Sequence, residues 1–326
     1  MSELYPLKFK TIFLDKIWGG QRIRTVLGKD FGKLPNCGEA WEISGVEGNI
    51  SVVANGFLKG NKLSELVEVY MGDLVGEKIY DKFGEEFPLL VKFIDAHENL
   101  SIQVHPDDAT ARVRHNAWGK TEMWVVLHAE ENAELVMGFN RTISRKEFVQ
   151  HLENKTLNEI LNVERVKTGD VFFIPSGRVH AIGPGILLAE IQQTSDITYR
   201  IYDWDRLDNQ GNSRELHTEL ALDVIDFQHH DNYKTSYQST ENTLVKLVDC
   251  PYFVTSLFEI NKPMDRDYSL LDSFVIIICI QGSAKIIDNK RETEIRCGES
   301  VLIPATGLTF RIEPTGNAKL LEVFGK

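Results

Sequence analysis

Four residues have the types and spacing to hold a metal ion. The segment Ser101-Ile-Gln103-Val-His105-Pro106 reads as the end of a strand. Residues two apart on a strand share a face, so Gln103 and His105 point together. Glu122 follows in Gly119-Lys120-Thr-Glu122-Met-Trp124, at the entry to the next strand. His180 closes Gly169-Asp-Val-Phe-Phe-Ile-Pro175-Ser-Gly177-Arg-Val-His180. One amide oxygen, two imidazoles and one carboxylate form an oxygen and nitrogen shell of the kind zinc accepts. With no thiolate among them, iron or manganese fits the same donors. A lone histidine beside a turn is ordinarily a satisfied polar residue. His97, His115, His128, His151 and His217 have no matching partners and are read that way, and His229-His230 sits in a polar stretch where solvation is expected.

Around these donors lie charged residues that would act on an anion. Arg200 alternates with the apolar positions Ile197, Tyr199 and Ile201, so it points away from their core-facing side. Its planar fork suits an oxyanion or phosphate. Lys120 stands two residues before Glu122 on the same face, Lys92 precedes Gln103 on what reads as a neighbouring strand, and Arg206 follows Arg200. Glu190 lies in the strand before Arg200, where it could pair with it or serve as a base. Trp18, Trp41 and Trp118 offer ring faces that could line a sugar pocket, although aromatics more often fill cores.

The elements that must carry these residues are mostly strands. Runs of period two recur at Leu89–Asp95, Leu100–Val104, Trp124–Ala129, Glu134–Gly138, Val171–Ile174, Leu187–Gln192 and Ile197–Tyr202. A later set covers Phe253–Glu259, Phe274–Ile280, Ser283–Ile287, Ser300–Ile303 and Lys319–Val323. Gly, Pro, Asn and Asp separate them, which predicts an antiparallel sandwich or barrel. Helices are expected at Leu63–Val75 and Arg214–Ile225, and after the capping boxes Ser144-x-x-Glu147 and Thr156-x-x-Glu159. Residues 226–242 read as a connection. The pattern at 169–180 recurs as Gly298-Glu-Ser-Val-Leu-Ile-Pro304-Ala-Thr-Gly307, without the histidine. This predicts one fold used twice, with the first unit working and the second structural.

Composition narrows the function. The chain has 326 residues, 42% hydrophobic and 26% charged, enough for a substantial core. A net charge of −12 argues against nucleic-acid binding, which needs clustered Lys and Arg. The N-terminus lacks a basic segment followed by an apolar stretch, so no signal peptide is expected, and apolar runs such as Phe274–Ile280 are too short to span a bilayer. Cys37, Cys250, Cys279 and Cys297 match no zinc motif and no disulfide framework; Cys279 reads as a buried free thiol. A cytoplasmic protein is expected. Oligomeric state is not readable.

The spacing Gly169-x5-Pro175-x-Gly177-x2-His180 is similar to the second metal motif of the cupin superfamily, with Gln103-x-His105 and Glu122 in the places of the first. More specifically, the chain resembles the type I phosphomannose isomerases, particularly their short bacterial form. The segments that carry this are 100–108 (LSIQVHPDD), 119–124 (GKTEMW), 174–183 (IPSGRVHAIG) and 195–206 (SDITYRIYDWDR), with 17–20 (IWGG) and 38–44 (GEAWEIS). The likeness covers most of the chain and weakens after residue 245. It implies a mainly β protein of two cupin-type jelly-roll barrel units with small helical insertions, divided as residues 1–240 and 241–326. It implies one zinc ion held by Gln103, His105, Glu122 and His180, although short members do not all use the glutamine. It also implies a catalytic Arg200 and interconversion of mannose 6-phosphate and fructose 6-phosphate through an enediol. On this reading Lys120 and Glu190 assist catalysis, while Lys92 and Arg206 contact the sugar phosphate. The chain lacks the large helical insertion of longer members.

Two other functions compete. A cupin dioxygenase would want redox-active iron and an open position for oxygen, and the basic residues argue against it by implying an anionic substrate. A sugar-binding cupin without turnover would not need Arg200 and Lys120 close to the metal.

Overall fold

The computed structural model describes residues 4–207, 210–288 and 291–326, and it is mainly β. Four antiparallel sheets form its frame. The first has six strands in the spatial order Ile12–Leu14, Glu39–Ile43, Leu89–Ala96, Ile186–Gln193, Glu122–Ala129, Val171–Ile174. The second has five: Tyr199–Tyr202, Ile102–Val104, His180–Ile182, Glu134–Phe139, Leu161–Arg165. The third also has five: Leu244–Asp249, Phe253–Ile260, Ala318–Gly325, Val275–Gln281, Glu299–Ile303. The fourth has Met264–Asp267, Thr309–Pro314, Ser283–Ile287 and Glu292–Arg296.

Side-chain alternation decides how the sheets pack. In Ile186–Gln193, Ile186 and Leu188 join a core with Leu135, Met137 and Ile182 of the second sheet. Leu187, Ala189 and Ile191 point the other way, into a core shared with Ile276, Ile278, Leu321 and Val323 of the third sheet. The first sheet is therefore covered on both sides, and all eight residues of Leu89–Ala96 and of Ile186–Gln193 are buried. Helices Leu63–Tyr70, Gly72–Val75 and Glu77–Phe83 add Leu66, Val67, Leu74 and Ile79 to the same shared core. The third and fourth sheets enclose a core of their own, including Phe258, Val275, Ile277, Ile286 and Ile312.

The strand orders bear on the repeated pattern. Counting eight strands from Leu89–Ala96, the first two sheets contain the orders 1-8-3-6 and 2-7-4-5; counting eight from Phe253–Ile260 gives the same two orders in the third and fourth. The glycines opening the two similar sequences, Gly169 and Gly298, both have positive φ (93° and 82°) and both precede strand six of their set. The expected closed barrels are not found. Among the described residues no strand pairing joins the two sheets of a pair, so each pair is an open sandwich.

Local expectations are met unevenly. Ser144 caps Arg145–Glu153, its side chain accepting from the Glu147 N–H. Thr156 leads only into the short 3-10 turn Leu157–Glu159. The segment 63–75 is two helices broken at Met71, whose φ is 48°. Of 214–225 only Thr218–Leu222 is helical, which leaves Arg214 in a loop. An unexpected helix, Asp108–His115, starts where the Asp107 side chain accepts from the Thr110 N–H. All four cysteines are free, and Cys279 is buried. No helix of the described residues is long and apolar enough to cross a membrane.

The second sandwich fills its interior with an ion pair. Lys92 faces Glu190 three residues into one strand pair, and Ser256 faces Glu322 at the matching step of the other. Glu322 accepts from Arg266 Nε and Nη2, both at 2.8 Å, and from the Tyr268 hydroxyl at 2.6 Å. Replacing one partner of such a buried pair strands the others. Glu322→Ala should therefore lower stability in urea by about 3 kcal/mol, with metal content per folded chain unchanged.

Candidate metal centre and adjoining cavity

The registers of the first two sheets bring distant residues into facing rows. Across the six-stranded sheet Trp41, Lys92, Glu190 and Trp124 are direct neighbours on successive strands. Across the five-stranded sheet Arg200, Gln103 and His180 are direct neighbours. Lys92 and Gln103 thus lie on facing sheets and not on adjacent strands, because the chain crosses from one sheet to the other between them. Glu122 opens its strand opposite Gln192. His105 follows the end of Ile102–Val104.

His105, Glu122 and His180 converge, with one ligand atom from each lying within 4.8 Å of the others. All three are buried. Both imidazoles are oriented from behind: His105 Nδ1 lies 2.8 Å from the Ile197 carbonyl and His180 Nδ1 2.8 Å from the Arg178 carbonyl. A carbonyl can only accept, so each Nδ1 carries the proton and each Nε2 presents a lone pair. His180 Nε2 is 3.4 Å from Glu122 Oε1, and neither atom has a hydrogen-bond partner. His105 Nε2 is 3.6 Å from Glu122 Oε2. Acceptors facing acceptors in a buried place call for a cation between them. The ammonium of Lys120 partly fills that need, bonding Glu122 Oε2 and lying 3.2 Å from His105 Nε2. The three residues could hold a metal ion in its place.

The surrounding charges are matched in pairs. Lys92 Nζ is 3.1 Å from Glu190 Oε1 and 5.0 Å from the Trp41 ring centre, while the Trp124 indole donates to Glu190 Oε2 at 2.8 Å. Lys120 Nζ is 3.9 Å from Glu190 Oε1. Burial pushes the Glu122 carboxyl up, reinforced by the charge of Glu190. Burial acts the same way on Glu190, but Lys120 and Lys92 outweigh it and hold that group below the usual carboxylate range. Burial lowers His180 to about 4. It also takes His105 well below its ordinary value, helped by Lys120. Both rings are thus neutral and ligand-ready near pH 7.

A cavity of about 370 Å³ opens beside these residues, between the two sheets. Of the residues singled out in the sequence, Lys92, Gln103, Lys120, Glu190 and Arg200 line it, as do Trp18 and Trp41. Arg206 is not among its lining residues: it donates to the Asn99 carbonyl. Trp118 lies elsewhere, against Phe83 and Glu86. Sequence reasoning missed Lys16, Asp196 and Arg214. Asp196 could have been found, since it alternates with Thr198 and Arg200; nothing in the local pattern around Arg214 marks it. His217, read as a satisfied histidine, braces the Arg200 strand by accepting from the Arg200 N–H at 3.2 Å.

Known proteins are similar to this chain over most of its length. Residues 7–121 match the pattern of the phosphomannose isomerase type I catalytic domain, and residues 243–324 that of the mannose-6-phosphate isomerase cupin domain. The chain is 36% identical to mannose-6-phosphate isomerase ManA of Bacillus subtilis, covering 94% of this chain and 96% of that one. It is also 36% identical to the mannose-6-phosphate isomerase of Streptococcus mutans, covering 92% and 93%. The crystal structure of a Bacillus subtilis mannose 6-phosphate isomerase superimposes with a TM-score of 0.87 at 34% identity, covering 98% of this chain and 99% of that one. A variant of phosphomannose isomerase from Salmonella typhimurium shares the fold, with a TM-score of 0.80 at 17% identity and coverage of 98% and 99%.

Removing His105 or His180 deletes one of three converging donors. Either alanine variant should bind a divalent ion more weakly by at least the roughly 10–100-fold that loss of a mere outer partner costs, as measured by competition with a chelating dye. Retention of the wild-type affinity in both would show that the ion binds elsewhere.

Proposed function

Because the chain belongs to the type I phosphomannose isomerase family and is an enzyme of that kind, we propose that it holds one zinc ion and interconverts mannose 6-phosphate and fructose 6-phosphate through an enediol. The observation that carries this reading is the pair of unpartnered acceptors, His180 Nε2 and Glu122 Oε1, facing each other beside a cavity lined by lysines and arginines. His105, Glu122 and His180 would hold the ion, with Gln103 alongside as the fourth donor. Neutral imidazoles and a carboxylate are a zinc-like set. When bound, the ion supplies Lewis-acid polarisation of the substrate oxygens. Lys120 now bonds Glu122 and lies 3.2 Å from His105 Nε2; with the ion in place its ammonium would turn to Glu190, 3.9 Å away.

The chain's own residues then handle the protons. In the aldose-to-ketose direction C2 loses a proton and C1 gains one, while O1 gains a proton and O2 loses one. Glu190, kept ionised by Lys92 and Lys120, takes the C2 proton and returns it to C1. Lys120 gives a proton to O1 and takes the one that O2 loses, ending unchanged, while Arg200 adds positive charge from the facing sheet at the end of the cavity away from His180. Lys92 contacts the sugar while holding Glu190 in place. Arg206, held at the Asn99 carbonyl, has no part in this assignment.

The same reading treats the chain as two cupin-type jelly-roll units dividing near residue 240. The repeated strand order and the separate interior of the second sandwich support it. Four free thiols are consistent with a cytoplasmic setting.

The direct test is turnover of mannose 6-phosphate by purified protein before chelation, after chelation, and after zinc is returned. Activity should vanish with the chelator and come back with zinc. Glu190→Gln and Lys120→Ala should each lower kcat by roughly 10²–10⁴-fold while still binding the ion. A zinc-loaded, folded protein with no turnover would refute the reaction, and full activity in the chelated protein would refute the cofactor.

A further inference from the structure

Most cations of the cavity are already neutralised. Lys92 pairs with Glu190, Lys120 with Glu122, and Lys16 with Glu39 at 3.5 Å. Arg200 and Arg214 are different. Both line the cavity; the charges of Asp203 and Glu215 act on Arg200, and Asp196 lines the same cavity. Asp203 is buried and fully committed to Arg214, accepting from Nε at 2.7 Å and from Nη2 at 2.5 Å. That clamp uses one edge of the Arg214 guanidinium and fixes its plane. Nη1 makes no hydrogen bond among the described residues.

Arg200 makes no ion pair among the described residues. Its Nη1 donates to the Glu215 carbonyl at 2.8 Å, and its Nε is buried without a partner. Neither Asp196 nor Glu215 forms an ion pair with Arg200 among the described residues, so the two guanidinium groups share the cavity with no carboxylate bound to Arg200. The repulsion is felt: burial lowers the Arg200 pKa, and the charge of Arg214 lowers it further. Such a pair suits an anion with several acceptor oxygens.

Position identifies which part of a substrate would supply it. Arg200 and His180 are two strands apart on the same row, with Gln103 between them. At the usual interstrand spacing their backbones lie about 10 Å apart. An extended hexose phosphate has comparable length. His180, one of the three converging donors, stands at one end of that row and Arg200 at the other, where Arg214 also lines the cavity; Glu190 belongs to the facing sheet.

We propose that Arg214, held in place by Asp203, joins Arg200 in anchoring the phosphate of the sugar-phosphate substrate, so that the reacting carbons reach the His105–Glu122–His180 end. This rests on the isomerase reading above and adds a substrate-binding residue and a positioning residue to it. Arg214 offers its outer guanidinium edge to the phosphate oxygens. Asp203 touches no substrate and acts through Arg214.

The test compares zinc-loaded wild type with Arg214→Gln, Arg214→Lys and Asp203→Asn, with zinc content and Tm recorded for each. Arg214→Gln should raise both KM for mannose 6-phosphate and Ki for inorganic phosphate roughly 10–100-fold, the cost of a lost charge-assisted hydrogen bond, with kcat within a few-fold of wild type. Arg214→Lys should recover part of the loss. Asp203→Asn should shift both constants the same way by less, and should add nothing in the Arg214→Gln background. KM and Ki within two-fold of wild type in either Arg214 variant that folds would overturn the proposal, as would a loss confined to kcat. If the wild type itself shows no turnover, the isomerase reading falls, and calorimetry with inorganic phosphate still decides the anchor. Weaker phosphate binding by the variants would uphold the anion site, and unchanged binding would overturn it.

Discussion

Everything at this centre follows from the cost of placing ionised groups between two packed sheets. Glu122, Glu190, Lys92 and Lys120 are all buried, and none would be tolerated there alone. Their charges cancel in pairs, which offsets the cost of burying them. The neutral histidines add donors without adding charge. A divalent ion held by His105, Glu122 and His180 would leave this balanced group two charges positive. On the isomerase reading proposed above, that excess would meet the negative charge developing on the substrate oxygens.

Much of this was legible in the sequence, for identifiable reasons. The inward residues are the polar exceptions in otherwise apolar alternating strands, so Lys92 and Glu190 stand out in runs that are buried on both faces. His180 was legible from its Gly and Pro turn, although its strand, His180–Ile182, is too short for periodicity to reveal. Pairings between sheets were not legible. Nothing in one dimension says that Lys92 and Gln103 face each other across a cavity. Arg214 escaped for a related reason: its Arg-Glu-Leu-His context reads as the start of a helix, while the backbone holds it in a loop against Asp203. The barrels expected from the family resemblance became sandwiches because local alternation says which face is buried and says nothing of whether edges meet.

The two sandwiches contrast in what the same strand positions hold. In one, Glu190 faces a lysine and a cavity; in the other, Glu322 at the matching position accepts from Arg266 and Tyr268 through both its oxygens. A bidentate arginine uses both oxygens of its carboxylate, and the phenol adds a third donor. The lysines around Glu190 hold it more loosely and leave room for another molecule. How completely the acceptors are used distinguishes a site from a strut.

The double burial of the first sheet has a further consequence. On Leu89–Ala96 and Ile186–Gln193, alternate residues serve the metal-side interior and the core shared with the third sheet. The two tasks are divided by single-residue steps along the same backbone. A chain ending near residue 240 would keep every donor named above, yet would expose Val91, Phe93, Leu187 and Ile191 to water as a flat apolar surface open to self-association. The second sandwich is thus a permanent built-in chaperone for the six-stranded sheet.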